Sequence, residues 1–134
     1  MPYRILVIED NSADVVLLED ALNQAGVGFE IHLIVDGQTA QRYIEFPNNA
    51  PPDLVLLDLH LPRIDGVELL QLMRHRASFE KVPIIVWSSL PSPKDRLAIS
   101  QFKGTHLISK PSSFEAFLEL GAQIGKVLNS NKVH

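Results

Sequence analysis

Four short apolar runs in this chain each end in polar residues capable of chemistry. Glu9 and Asp10 follow "YRILVI", Asp58 ends "DLVLLD", Ser88 and Ser89 follow "PIIVW", and Lys110-Pro111 follows "HLIS". Asp58 raises the sharpest question, because a carboxylate on a run apolar enough to be a buried strand is desolvated at a cost unless something pairs with it. Three carboxylates drawn together repel one another unless a cation lies among them, and an all-oxygen set with few protein ligands suits a hydrated Mg²⁺. Beside such an ion, Asp58 has the chemistry of a nucleophile toward a phosphoryl group. Lys110 would bind one phosphoryl oxygen as a point charge, and Ser88 would donate a hydrogen bond to another. Singly, each residue has an ordinary explanation: a helix cap for Asp10, a solvated edge residue for Lys110, a strand-end cap for Ser88. Their joint occurrence at successive strand ends favours a shared site.

Bringing these residues together requires a particular scaffold. The runs at 3–9, 53–58 and 83–88 are continuous, branched and short, as strands covered on both faces are. "FEIHLIVD" (29–36) alternates, with Phe29, Ile31, Leu33 and Val35 on one side, and is expected to be an edge strand with one wetter face. "HLIS" (106–109) is the other expected edge. Helical patterns separate them: residues 12–26 with Asn11 or Ser12 as cap and Gly26 as stop, 38–46 after Asp36-Gly37, and 67–77 after Asp65-Gly66, read as turn chemistry. A fourth helix is expected over 94–102. A fifth follows the Ser112-Ser113 cap, with Phe114, Phe117, Leu118, Gly121, Ile124 and Leu128 on its apolar face. Five β-α units imply a parallel sheet with helices on both sides, and edges at the second and fifth strands give the order 2-1-3-4-5, a flavodoxin-like (βα)5 three-layer sandwich. In such sheets ligands bind at the carboxyl ends of the strands, where all the polar groups above fall.

Bulk properties narrow the function classes. At 134 residues the chain is one domain's worth, with an expected core over about 3–129 and no effector domain. Twelve Lys and Arg against sixteen Asp and Glu give a net charge of −4, which argues against nucleic-acid binding driven by overall charge. The absence of cysteine removes thiolate metal sites and thiol nucleophiles and fits a cytoplasmic location. No apolar stretch approaches a membrane span, and no signal peptide is evident. The five histidines, at 32, 60, 75, 106 and 134, lack metal-ligand spacing. Trp87, Phe114 and Phe117 read as packing residues.

The blocks "ILVIEDN", "DLVLLDLHLPRIDG", "PIIVWSS" and "KP", in this order across nearly the whole chain, resemble the motifs of the response regulator receiver domain. The resemblance implies a phosphorelay function: a histidine kinase transfers a phosphoryl group to Asp58 with Mg²⁺, and self-dephosphorylation removes it, with no enzymatic turnover of another substrate. It also implies Glu9, Asp10, Asp58 and the backbone carbonyl of His60 as metal ligands, Ser88 as the switch hydroxyl, Lys110 as the phosphoryl-binding lysine, and a cis Lys110-Pro111 bond. "EDNSADVVLLEDAL" and "LPRIDG" resemble stand-alone receivers paired with phytochrome-like kinases.

One position departs from the family. Leu107 stands where receivers usually carry Tyr or Phe, so the expected coupling between the site and the surface is weaker. Left on an outer edge, Leu107 is expected to favour a homodimer through the face of helix 4, strand 5 and helix 5 in both states. Output is otherwise expected through contact with a downstream protein or onward phosphotransfer. Two alternatives stay open: a pseudo-receiver that only binds partners, disfavoured by retention of Glu9, Asp10, Asp58, Ser88 and Lys110, and a dehalogenase-like aspartyl-phosphate phosphatase, which would want an acid where His60 stands. The lack of a G-x-G-x-x-G or Walker A sequence disfavours a nucleotide enzyme.

Overall fold

The computed structural model describes residues 2–46 and 50–132. Its elements alternate along the chain: β1 (Tyr3–Ile8), α1 (Ser12–Gln24), β2 (Phe29–Ile34), α2 (Gly37–Glu45), β3 (Leu54–Asp58), α3 (Gly66–Arg74), a 3-10 turn (Ala77–Phe79), β4 (Ile84–Ser88), α4 (Pro93–Ser100), β5 (Thr105–Ser109) and α5 (Phe114–Lys132). The strands form one parallel sheet in the order β2-β1-β3-β4-β5, the flavodoxin-like arrangement the patterning implies.

Because successive side chains of a strand point to opposite faces, the buried central strands feed two cores. Leu6, Ile8, Val55, Leu57, Ile84 and Val86 pack with residues of α2, α3 and α4. Ile5, Val7, Leu54, Leu56, Ile85 and Trp87 pack with residues of α1 and α5. A side chain on Gly121 would put its Cβ 2.6 Å from the Ala21 carbonyl oxygen, so glycine sets how closely α5 approaches α1. Among the described residues no helix is long and apolar enough to cross a membrane.

Local chemistry fixes the helix starts that border the sheet's carboxyl edge. Asn11, not Ser12, caps α1, accepting from the Ala13 and Asp14 N–H groups. Asp36 caps α2 through Thr39 N–H. Asp65 does more than turn the chain: it caps α3 through Val67 N–H, while Gly66 N–H donates to the Leu59 carbonyl at 3.1 Å. A Cβ on Gly66 would meet that same oxygen at 2.6 Å, so the loop after β3 can close only over glycine. Ser92 and Asp95 form a reciprocal capping box on α4, and Ser113 Oγ accepts from Ala116 N–H at the start of α5.

Several expectations are corrected. Helix α3 ends at Arg74 rather than at 77, and α4 covers Pro93–Ser100 rather than 94–102. On β2, Phe29 and Ile31 are half-buried, but Leu33, like Val35 just beyond the strand, is exposed and Ile34 is buried, because Ala40 and Ile44 of α2 cover the opposite face at that end of the strand. Phe117 is a core residue, whereas Phe114, at the first position of α5, is 50% exposed and precedes the turn that packs. Leu107 is half-buried and packs on the α3/α4-side core instead of lying free on the edge. No cis peptide occurs among the described residues, so Lys110-Pro111 is trans; the Lys110 N–H donates to the Ser88 carbonyl at 2.8 Å, which already fixes the exit of β5 beside the site. His134 lies outside the described residues.

Candidate functional site

Each polar residue arrives at the carboxyl edge through its strand. Glu9 N–H donates to the Ile34 carbonyl, Leu59 N–H to the Trp87 carbonyl, and Lys110 N–H to the Ser88 carbonyl, so the ladder continues one residue past β1, β3 and β5 and holds their ends in register. Asp58 is the last residue of β3 and is only 5% exposed, so the strand reading and the carboxylate are both correct. Its burial is compensated: Oδ1 accepts the His60 N–H at 2.9 Å, and Oδ2 lies 3.5 Å from Lys110 Nζ.

Lys110 gathers the acids. Its Nζ is 2.8 Å from Glu9 Oε1, 3.0 Å from Asp14 Oδ2 and 3.5 Å from Asp58 Oδ2, and it lies over the Trp87 ring at 5.2 Å from the centroid. Burial alone would lower the ammonium's pKa, but the Glu9 and Asp14 carboxylates, with Asp58, hold it well above the usual lysine range. The amine is therefore charged at neutral pH. Glu9 is fully buried, and burial pushes its carboxyl up to about 7, against the lowering effects of the Lys110 amine and the Asn11 N–H.

The sequence placed Glu9, Asp10, Asp58, Ser88 and Lys110 at one edge. The structure brings carboxylate oxygens of Glu9, Asp10 and Asp58 within 4.8 Å of one another and Lys110 against two of them. Ser88 is fully buried at the end of β4, and its Oγ has no hydrogen-bond partner among the described residues. His60 contributes its N–H to Asp58, and its ring lies 3.9 Å from Asp95 at the start of α4. Asp14 was not singled out. It sits in the first turn of α1, where an acid reads as a complement to the helix dipole, and only the tertiary approach of Lys110 reveals its second contact. Trp87 packs edge-on against Phe117, as a packing residue should.

The residues present fit a divalent cation. Four carboxylates, those of Glu9, Asp10, Asp14 and Asp58, are offset at this edge by one ammonium. Glu9 Oε1 is ion-paired with Lys110 at 2.8 Å but has no aligned hydrogen bond among the described residues, so this buried oxygen keeps lone-pair capacity for a cation. Hard oxygen donors with spare lone pairs and excess negative charge are what Mg²⁺ or Mn²⁺ takes.

The response regulator receiver domain family matches the chain over residues 5–120. A probable methanogenesis regulatory protein, FilR2 of Methanothrix harundinacea, is 36% identical over 118 residues, covering 85% of this chain and 76% of that protein. The crystal structure of the phosphorylated cyanobacterial phytochrome response regulator RcpA superposes with a TM-score of 0.84 at 28% identity, covering 98% of this chain and 96% of that one. The Mn²⁺-bound form of response regulator Rcp1 superposes with a TM-score of 0.80 at 26% identity, covering 93% of each chain.

Proposed function

The chain belongs to the response regulator receiver domain family and acts in two-component signalling, and on that premise we propose that Asp58 accepts a phosphoryl group from a histidine kinase, with Mg²⁺ held by Glu9, Asp10, Asp58 and the His60 carbonyl. The observation that carries this reading is the placement of Asp58: a buried strand-end carboxylate that belongs to the acidic triad and also faces the Lys110 ammonium. Glu9 is less suited to attack, because Oε2 accepts the Asn11 N–H at 3.0 Å and Oε1 faces Lys110 at the shortest of the amine's contacts. Asp10 is exposed and makes no ion pair with Lys110 among the described residues.

The reaction is a displacement at phosphorus. A carboxylate oxygen of Asp58 forms the new P–O bond as the P–N bond of phosphohistidine breaks, and the electron pair of that bond returns to the imidazole nitrogen. Lys110 offsets charge on one phosphoryl oxygen. The Ser88 hydroxyl, a buried donor with no hydrogen-bond partner among the described residues, is free to donate to another. A cation held by these carboxylates would further neutralise the phosphoryl oxygens. Hydrolysis reverses the state: water attacks phosphorus, the acyl-phosphate P–O bond breaks, and the Asp58 carboxylate and inorganic phosphate result. This is self-dephosphorylation of the receiver, not turnover of an outside substrate.

The similarity to phytochrome response regulators supports a phytochrome-like kinase as the donor. The receiver unit, about residues 3–129, would then work in the cytoplasm and signal through a downstream protein, onward phosphotransfer or a homodimer. Incubation with a small phosphodonor, followed by intact-mass measurement, tests the chemistry: one phosphoryl adduct should form with Mg²⁺. An adduct forming equally well in EDTA would remove the metal from the reaction.

A further inference from the structure

Asp14 lies outside the acidic triad, yet its Oδ2 is 3.0 Å from Lys110 Nζ, closer than Asp58 Oδ2 at 3.5 Å. Both side chains are mostly enclosed, at 19% exposure for Asp14 and 14% for Lys110. The two shortest contacts of the ammonium, to Glu9 and Asp14, both draw it away from the residue that reacts. Glu9 and Asp58 belong to the triad suited to a cation. Asp14 does not, so it remains available to hold the amine whatever the triad binds.

We propose that Asp14 is a positioning residue for Lys110: a restraining carboxylate that competes with the phosphoryl group on Asp58 for the ammonium, and so limits how readily the site gains and keeps that group. The proposal rests on the reading of Asp58 as phosphoacceptor. Competition follows from charge and geometry together. When Lys110 turns to a phosphoryl oxygen, it must weaken or share its bond to Asp14, and the Asp14 charge also repels the incoming dianion. A neutral group of the same shape removes both effects.

The test uses beryllofluoride with Mg²⁺ as the phosphoryl mimic and the fluorescence of Trp87, the single tryptophan, as readout. That ring is buried beside Lys110 and paired with Asp58 across the sheet, so it reports on the site itself. Asp14→Asn should tighten beryllofluoride binding by about threefold or more, the scale of a partly screened ion pair, and lengthen the life of the phosphorylated protein. Asp14→Ser should act in the same direction, and Asp14→Glu should return the affinity toward that of the wild type. An unchanged or weakened affinity in a folded Asp14→Asn or Asp14→Ser variant would overturn the proposal, since an acid serving only the helix dipole changes the melting temperature and leaves mimic affinity alone. Asp58→Asn, measured alongside, separates the two failures. If it still responds to the mimic, the phosphoacceptor reading is wrong; if it loses the response while Asp14→Asn matches the wild type, only the role of Asp14 is wrong.

Discussion

Glu9 is the residue at which burial and charge oppose each other most directly. Burial raises its carboxyl from 4.5 to about 7. A native acid with a raised pKa binds more protons than the unfolded chain does between those two values, so this group's contribution to stability is full below about pH 4.5 and is lost as pH climbs through about 7. A divalent cation binds the ionised form and binds the native state alone, which reverses the trend. The metal-free protein should therefore melt at a lower temperature as pH rises from about 5 to about 8, while the gain from added Mg²⁺ grows over the same range. Melting curves across that range check both slopes, and a Mg²⁺ gain that shrinks with pH would contradict the assignment of Glu9 to the cation. At this scale the sequence was informative where a polar residue interrupted an apolar run, as at Asp58 and Ser88. It was silent on Asp14, whose position in the first turn of a helix already has a sufficient local reason.

Elements carry the next level, and Arg74 shows how they are joined. At the end of α3 it donates to the carbonyls of Phe79 and Val82 at 2.9 Å, to the Gly104 carbonyl at 2.8 Å, and to Thr105 Oγ1 at 3.0 and 3.1 Å. One guanidinium thus ties α3 to the approaches of β4 and β5, the strands that end in Ser88 and Lys110. Arg74→Met keeps much of the stem but strands half-buried carbonyls, and should cost about 2–4 kcal/mol in urea unfolding. A loss below about 0.5 kcal/mol would mean that water replaces the guanidinium freely. The strands and their order were legible because a doubly covered strand leaves a continuous apolar run. Arg74 was not, since a basic residue in a helix's last turn is the usual complement to the dipole. Phe114 misled for a related reason: periodicity assigns a face but not how far along it the packing extends, and α5 begins to pack only at Phe117.

For the whole molecule, the question is how the site speaks to its surroundings. The face of α4, β5 and α5 carries Leu97 at 67% exposure, while Leu107 is already half-buried against the core. If Ser88 has the switch role the family resemblance implies, a leucine already packed against the core gains little by following it, and a small difference between states gives a weak population shift. If the proposed homodimer uses this face, it rests on exposed Leu97 rather than on Leu107, and a phosphoryl mimic should tighten it only modestly. Light scattering over a concentration series reads this. A strict monomer would exclude the homodimer, and a dimer indifferent to Leu97→Asp would place its contact elsewhere.

The central claim is that the buried acid facing Lys110 is the one that carries the phosphoryl group, and trapping the acyl phosphate tests it most directly. The protein is phosphorylated by a small donor with Mg²⁺ and reduced with borohydride, which converts an aspartyl phosphate to homoserine, and the peptides are then sequenced by mass spectrometry. The reduced residue should be Asp58, with no label in the Asp58→Asn variant. Homoserine at Asp10 or Asp14, or labelling that persists in Asp58→Asn, would contradict the account.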